Sequence, residues 1–212
     1  MAPTPPPPSV LAAFSLTTTP TPLPSGQGHS FLSGTTVLKY LNPSDAEEAE
    51  WISRTLSLLP PSPHFTIPTP IPSSTGHYVY GNWTPTQYCP GTDHPVGHWE
   101  ELFEAARKFH KAFEEAQADR VAWGEESISV IPSLAPLYER LLSLRKDVGV
   151  VQAQLVHGDL SGNMLFRDGK PAVVIDFSPF WRHVDYASAI AVMDGIADFG
   201  EGEGVLRAAG LG

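Results

Sequence analysis

The chain has 212 residues, 42% of them hydrophobic, which is enough to bury a core as one domain or two small lobes. It carries 13 Lys and Arg against 23 Asp and Glu, a formal net charge of −10. A field of that sign repels nucleic acids and anionic membranes, so neither is expected as a partner. Cys89 is the single cysteine, which excludes an intrachain disulfide and favours the cytoplasm. No secretory signal or membrane-length apolar run is recognised.

A short helix and a hairpin are the first predicted elements. Residues 1–8 are Pro-rich and are expected to form a disordered lead-in, and a short helix is expected to follow. Gly26, Gly28 and Ser30 precede a turn at residues 33–34, and pairing across that turn places Gly28 opposite Lys39. Bare backbone N–H groups beside an ammonium suit a phosphate. The plain alternative is an edge-strand lysine that blocks aggregation.

A helix is predicted between Pro43 and Pro60. Ser44 and Glu47 form a capping-box pattern at its start, and apolar residues recur at helical spacing up to Leu59.

The next stretch is predicted to be mostly loop and strand. Residues 60–76 are rich in Pro, Ser and Thr, with a short extended piece at residues 64–67. Residues 78–84 and 86–91 are predicted strands that end in a turn.

Two helices are predicted in the second half, and both are expected to pack beneath the loop described next. The first begins at His98 and carries one apolar stripe through Phe113, so His110 on that stripe is expected to be a buried core histidine. The second follows Ser133. His94 and His98 lie four apart, but the Pro and Gly between them break the helix that a zinc-binding pair needs.

A second predicted hairpin gathers three polar side chains. Asp168-Gly169 is a tight-turn signal, and a turn there places Asn163 opposite Val174. Asp176 then lies beside the loop that holds Asp159. Carboxylate and amide oxygens gathered in this way suit Mg²⁺.

The residues around this hairpin resemble a known family. His157, Asp159 and Asn163, followed by Asp176 and Phe177, resemble the catalytic and metal-binding loops of the protein kinase-like fold. In one-letter code these motifs occur in the order HGDL…N…L…IDF. This pattern is most similar to that of the aminoglycoside phosphotransferase branch, which includes choline and fructosamine kinases. The GQG loop, VLK strand and HGDL-x-GN loop are particularly similar to a microbial subgroup of it.

The resemblance implies a role for each site residue. Asp159 would accept the proton of a substrate hydroxyl, and Asn163 and Asp176 would hold Mg²⁺ against the phosphates of ATP. Lys39 would bind those phosphates. Glu50 is the predicted partner of Lys39, with a solvated glutamate as the alternative.

The resemblance also places Gly26, Gly28 and Ser30 in the Gly-rich nucleotide loop. Backbone groups near Tyr88 and Cys89 would form the hinge that binds adenine. His157 is expected to be a structural strut rather than a proton carrier.

Three features depart from the family pattern. Three residues separate Asp159 from Asn163 where the family has four, and Ser178 follows Phe177 where protein kinases have Gly. The third is that fewer helices follow the Asp-Phe strand than in the family.

The sequence therefore predicts an α+β, two-lobed protein kinase-like fold with a shortened C-terminal helical lobe. Residues 9–91 would form a β-rich ATP-binding lobe, and residues 92–212 a mainly helical catalytic lobe. The predicted reaction moves the γ-phosphoryl group of ATP to a hydroxyl of an unidentified small molecule. The alternative is a catalytically inactive nucleotide-binding or scaffold protein. A protein kinase is disfavoured because no Ala-Pro-Glu pattern follows Asp176. No feature of the sequence indicates an oligomeric state.

Overall fold

The computed structural model describes residues 4–24, 28–115, 131–144, 146, 149 and 151–211. In chain order its helices and strands are α1 (Pro8–Ala13), β1 (Thr21–Pro22), β2 (Ser30–Ser33), β3 (Thr36–Tyr40), α2 (Ala46–Ser57), β4 (Phe65–Thr66), β5 (Trp83–Gln87), α3 (Trp99–Glu115), α4 (Ala135–Ser143), β6 (Gln154–His157), β7 (Met164–Arg167), β8 (Lys170–Val174), β9 (Pro179–Arg182), α5 (Asp185–Ala197) and α6 (Glu203–Ala209).

The first sheet has the strand order β1-β2-β3-β5 and is antiparallel throughout. Its strands alternate, so that Leu38 is buried against Phe31 and Trp83 while Val37 and Lys39 face the other way. Val10 of helix α1 and Phe14, which directly follows the helix, close the buried face. This small core fixes the strand that carries Lys39.

The predicted turn before Lys39 forms, but its register differs from the prediction. Gly34 has φ +62°, and Ser33 pairs with Thr36. Ser30, not Gly28, therefore lies opposite Lys39. The predicted pairing was wrong by two residues because the turn is centred on residues 34–35, one residue later than expected. A shift of two leaves the alternation of faces unchanged.

The Asp168-Gly169 hairpin also forms, with Gly169 at φ +62°. The register shifts between Leu165 and Arg167, so Met164 rather than Asn163 lies opposite Val174. The prediction was wrong by one residue because a bulge inserts an extra residue in one strand.

Helix α3 organises the larger core, as its apolar stripe predicts. Phe113 stacks on Phe177, which directly follows Asp176 in the chain, and Phe109 contacts the same ring edge to face. His110 is buried, as expected, and it accepts a hydrogen bond from the backbone N–H of His157 at 3.0 Å. The aromatic side chains of α3 thus fill the space beneath the segments that carry Asp159 and Asp176.

Helix α4 forms where predicted, but its predicted packing was wrong. None of its side chains that the structure describes is buried. The space beneath the loop is already filled by the aromatic residues of α3. The exposed apolar residues on this segment are Leu137, Tyr138, Leu141, Leu142 and Leu144.

The start of α2 also differs from the prediction. A 3-10 turn over Pro43–Asp45 precedes the helix, and no side chain caps it. Ser44 instead bonds to the carboxylate of Asp45 at 2.7 Å, so the predicted capping box was wrong.

The two strands predicted over residues 78–91 reduce to β5. Tyr80 and Trp83 exchange both backbone hydrogen bonds around Gly81 and Asn82, which have φ +56° and +62°. This is the two-residue hairpin geometry that Gly and Asn favour. This tight turn therefore replaces most of the first predicted strand, residues 78–84.

Several pairings join distant parts of the chain. The short strand β4, predicted over residues 64–67, pairs in parallel with β8 to give a sheet of order β4-β8-β7. Strands β6 and β9 form a separate antiparallel pair. Helices α5 and α6 follow β9 in the chain. No helix among the described residues is long and apolar enough to cross a membrane.

Candidate active site

A cleft of about 1040 Å³ runs between the first sheet and the segments around β7 and β8. One part of it is apolar, with Leu23 and Val37 on the sheet side and Leu165 on the β7 side. Tyr88, Cys89 and Gly91, which follow β5, also line it. The cleft thus combines apolar walls with the segment of chain that follows β5.

The polar part of the cleft holds four of the residues singled out in the sequence: Lys39, Asp159, Asn163 and Asp176. Lys39 Nζ lies 2.7 Å from Asp176 Oδ1, and both side chains are about half exposed. One cation from the first sheet and two carboxylates from the two ends of the β7-β8 hairpin region therefore share one opening.

Asp176 is held in an unusual backbone conformation. Its φ is +44°, in the left-handed region that non-glycine residues rarely adopt. Phe177 anchors the next position in the aromatic core, at 5.0 Å from Phe113 between ring centroids. Strained backbone of this kind persists where its surroundings over-determine it, and it clusters at functional sites.

His157 is buried in the core and links the loop that carries Asp159 to the loop that carries Asp176. Its Nδ1 accepts the backbone N–H groups of Asp159 at 3.2 Å and Ser178 at 3.4 Å. Its Nε2 lies 3.2 Å from the carbonyl oxygen of Ile175, so the neutral tautomer with the proton on Nε2 satisfies all three contacts. The expectation that His157 is a structural strut is confirmed by these contacts.

Burial disfavours the charged form of both core histidines. It lowers the pKa of His157 to about 4, opposed by the bond to Ile175 and by Asp176. Burial also lowers the pKa of His110 to about 3, with a smaller contribution from His157. Both rings are therefore neutral near pH 7.

The short loop from Asp159 to Asn163 closes as a turn. The N–H of Asn163 donates to the carbonyl of Leu160 at 3.2 Å, and Gly162 has φ +83° at the third position. A type II turn requires a positive φ at that position, which Gly adopts without strain. Glycine thus allows the shorter spacing while Asn163 still reaches the cleft.

The donor set fits a hard cation. Asn163 donates from Nδ2 to the carbonyl oxygen of Asp159 at 2.9 Å, which leaves its Oδ1 as an acceptor. Lys39 contacts Oδ1 of Asp176, and within the described ranges Oδ2 accepts no hydrogen bond from the protein. No group of three or more His, Cys, Asp or Glu side chains in those ranges forms a metal centre. Two oxygen ligands are nevertheless what a magnesium site completed by substrate phosphates requires.

The predicted nucleotide loop is only partly described. Gly26 lies outside the described residues, so its predicted role stays a prediction. Gly28 has φ +77°, and no neighbouring atom lies within 4 Å of the space that a Cβ would take there. Ser30 lines the cleft beside Lys39.

Glu50 does not contact Lys39, so the predicted pair is corrected. Its Oε2 accepts the backbone N–H groups of Tyr78 and Val79 at 2.7 and 2.9 Å, and its Oε1 accepts from Arg54 at 2.8 Å. Helix α2 therefore directs this carboxylate to the loop before β5 and away from the cleft.

Glu48 faces the cleft instead, together with Ile52 and Leu56. These three residues are spaced by four and therefore lie on one face of the helix. That spacing is the signal in the sequence that Glu48 faces the same side as Ile52 and Leu56. Burial raises the pKa of the Glu48 carboxyl, and the charge of Asp45 adds to this. No ion-pair partner of Glu48 is present among the described residues.

Two glycines beside the cleft were not singled out from the sequence. A Cβ at Gly158 would lie 2.3 and 2.6 Å from two ring carbons of Phe180, and one at Gly91 would lie 2.7 Å from the Cβ of Leu165. The backbone approaches these neighbours more closely than any side chain allows. Both contacts are between distant segments, so no local pattern indicates them.

The histidines considered for zinc have other surroundings. His98 stacks on Phe166 with ring centroids 4.5 Å apart, and its Nδ1 lies 3.2 Å from Glu101 Oε2. His94 contacts Phe199 edge to face.

No protein-family model and no curated protein matches this chain. Solved structures do. Amicoumacin kinase in complex with AMP-PNP, Ca²⁺ and amicoumacin aligns with a TM-score of 0.54 and 17% identity over 79% of this chain, which spans 60% of that kinase chain. Spectinomycin phosphotransferase in complex with ADP and spectinomycin aligns with a TM-score of 0.59 and 14% identity, covering 96% of this chain and 78% of its own.

Choline kinase from Streptococcus pneumoniae aligns with a TM-score of 0.58 and 12% identity, covering 95% of this chain and 79% of its own. Similarity at these identities establishes the fold. The chain has the α+β, two-lobed kinase-like fold of small-molecule kinases and phosphotransferases, which confirms the predicted fold class. The likeness to aminoglycoside phosphotransferases and choline kinases is confirmed at that level.

Proposed function

We propose that the protein is an ATP-dependent phosphotransferase that moves the γ-phosphoryl group to a hydroxyl of a small molecule. The observation that carries the proposal is the 2.7 Å contact between Lys39 and Asp176 across a cleft that Asp159 and Asn163 also line. The structural neighbours support it, because they include an amicoumacin kinase, a spectinomycin phosphotransferase and a choline kinase.

The two parts of the cleft match the two parts of a nucleotide. The adenine would lie between Val37 and Leu165, with the backbone near Tyr88 and Cys89 at its polar edge. The phosphates would then reach Lys39, and backbone N–H groups at Gly26, Gly28 and Ser30 would approach them. The overall charge of −10 makes this local cation necessary for an anionic ligand.

Asn163 and Asp176 would hold Mg²⁺ through Oδ1 and a carboxylate oxygen. The bound ion would supply neutralisation of charge on the phosphates. Lys39 would leave Asp176 and bind the phosphates, and Glu48, which lines the same cleft, would become its carboxylate partner. We propose Glu48 for this role in place of Glu50.

Asp159 would orient the acceptor and take its proton. Its backbone is fixed by His157, while its side chain remains exposed in the cleft. The acceptor oxygen would form a bond to Pγ as the bond from Pγ to the bridging oxygen breaks, so ADP leaves and the hydroxyl proton passes to Asp159. No covalent enzyme intermediate is needed.

Label transfer tests the proposal. The protein is incubated with Mg²⁺ and γ-labelled ATP in the presence of aminoglycosides, choline and other small alcohols, and labelled products are identified by mass spectrometry. Transfer of label to an alcohol is expected. Binding of Mg-ATP without transfer to any alcohol in a broad panel would favour the alternative, an inactive nucleotide-binding or scaffold protein.

The lobe boundary near residue 91 and the cytoplasmic compartment remain predictions. The strand β4 falls before that boundary in sequence but pairs with β8 after it. A linear boundary therefore describes the chain only approximately in space.

A further inference from the structure

Glu50 makes an unusually complete set of contacts for a residue outside the cleft. Its side chain is only 20% exposed, and its two carboxylate oxygens accept two backbone N–H groups and one guanidinium. In addition, His77 Nδ1 lies 3.5 Å from Glu50 Oε1. Bonds from N–H groups to a carboxylate are stronger than neutral ones.

These contacts join α2 to the loop that leads into β5. Tyr78 and Val79 directly precede the tight turn at residues 81–82, whose other side begins strand β5. That strand pairs with β3, so Thr84 lies opposite Lys39. The Glu50 carboxylate therefore ties α2 to the same sheet that carries the cation of the cleft.

Helix α2 has few other fixed attachments. Only Ser53 and Thr55 are fully buried in it, while Trp51, Ile52 and Leu56 are partly buried against the larger core. A helix held by a partly buried apolar face can rotate or slide more easily than one with a fully buried stripe. A directional polar contact then has a large influence on its position.

Glu50 and Glu48 point to different sides of α2. Residues two apart on a helix are separated by about 200° around its axis, so they do not share a face. Glu48 lines the cleft, and Glu50 contacts the loop on the other side. Fixing Glu50 consequently fixes the direction of Glu48.

We propose that Glu50 is a positioning residue: its bonds to Tyr78 and Val79 set the rotation of α2 and so keep Glu48 directed into the cleft that Lys39 also lines. The effect on nucleotide binding rests on the proposed function. The attachment of α2 to the loop does not, and it can be measured without any nucleotide.

A double-mutant cycle tests the proposal. Mg-ATP affinity is measured by calorimetry for the wild type, Glu50→Ala, Glu48→Gln and the double variant. Each single change is expected to weaken binding by about 3- to 20-fold. The double variant is expected to bind no more weakly than Glu48→Gln alone, because Glu50 acts through Glu48. Independent, multiplying effects, or no effect of Glu50→Ala, would overturn the proposal.

Two further variants separate positioning from general damage. Glu50→Gln keeps a carbonyl oxygen for the two N–H donors and is expected to retain affinity within about threefold of wild type. Glu47→Ala removes an exposed glutamate of the same helix that does not line the cleft, and it is expected to change nothing.

Amide hydrogen exchange without nucleotide gives the independent readout. Tyr78 and Val79 amides are expected to exchange faster in Glu50→Ala than in wild type, and at the wild-type rate in Glu48→Gln. Unchanged exchange in Glu50→Ala would overturn the attachment itself. If the wild type bound no Mg-ATP, the proposed function would fail and the role in binding with it, whereas loss of amide protection would still establish the attachment.

Discussion

Lys39 Nζ lies 2.7 Å from Asp176 Oδ1, although the two residues are 137 positions apart in the chain. Lys39 is held by a strand of the first sheet and Asp176 by the end of the β7-β8 hairpin. The contact thus spans the cleft between the two lobes. Because both side chains are about half exposed, the contact is expected to contribute little to stability.

Replacing Lys39 by Ala is expected to leave the free energy of unfolding within about 1 kcal/mol of wild type, since exposed ion pairs contribute no more than that. Phosphoryl transfer is expected to fall by at least about 100-fold, as loss of a charge-stabilising group does elsewhere. Urea denaturation and initial rates measure the two effects. Lys111→Ala, which removes a second exposed lysine paired with a glutamate, serves as the control. A large loss of stability in Lys39→Ala would show that the contact is structural.

Replacing Asp159 by Asn is expected to lower kcat by about 10²- to 10⁴-fold, the range for loss of a general base. Mg-ATP affinity is expected to remain unchanged, because Asp159 acts on the acceptor. Asp168→Asn in the exposed hairpin turn is the matched control. Equal turnover in Asp159→Asn and wild type would exclude Asp159 as the base.

Gly158→Ala is expected to destabilise the protein by about 1–3 kcal/mol through overpacking, because its Cβ would meet the ring of Phe180 at 2.3 Å. Phe180→Ala in the same chain removes that ring and is expected to restore stability. Gly162→Ala provides the contrast, since φ +83° rather than any neighbouring atom opposes a side chain there. Its destabilisation should not respond to Phe180→Ala. If Phe180→Ala failed to restore Gly158→Ala, the close approach would not be the cause.

The two buried histidines predict the direction of a pH effect. Their folded pKa values, about 4 for His157 and about 3 for His110, lie below the usual value of 6.5. The unfolded chain therefore binds more protons in the intervening range, and stability is present above pH 6.5 and lost as pH falls towards 4. Each histidine contributes a loss on the order of 2 kcal/mol between pH 6.5 and 5.

Denaturation at several pH values checks this expectation. His110→Gln keeps an acceptor for the His157 N–H and removes one titrating group, so its stability should fall less steeply with decreasing pH. His64→Gln changes an exposed histidine and is the control. An unchanged slope in His110→Gln would contradict the assignment of the pH effect to the buried pair.

Local signals in the sequence predicted most elements. Gly34 and Gly169 mark turns that form, the first displaced by one residue, and the apolar stripe from Trp99 to Phe113 gives the central helix. Lys39, Asp159, Asn163 and Asp176 could be selected because their spacing relative to those elements resembles a known pattern. All four line one cleft.

Nonlocal packing accounts for what the sequence did not predict. The shift between Leu165 and Arg167 and the parallel pairing of β4 with β8 depend on segments far apart in the chain. The direction of the Glu50 side chain depended on the rotation of α2, which its contact with Tyr78 and Val79 reveals.

Calorimetric titration of the wild type, Lys39→Ala and Asp176→Asn with ATP in the presence and absence of Mg²⁺ tests the shared cleft most directly. The wild type is expected to bind Mg-ATP at one site, and each substitution is expected to weaken that binding by at least about tenfold. Mg²⁺ should no longer strengthen ATP binding in Asp176→Asn, whereas it should still do so in Lys39→Ala. Wild-type protein that binds no nucleotide at millimolar ATP, or variants that bind as tightly as wild type, would contradict a nucleotide site between Lys39 and Asp176.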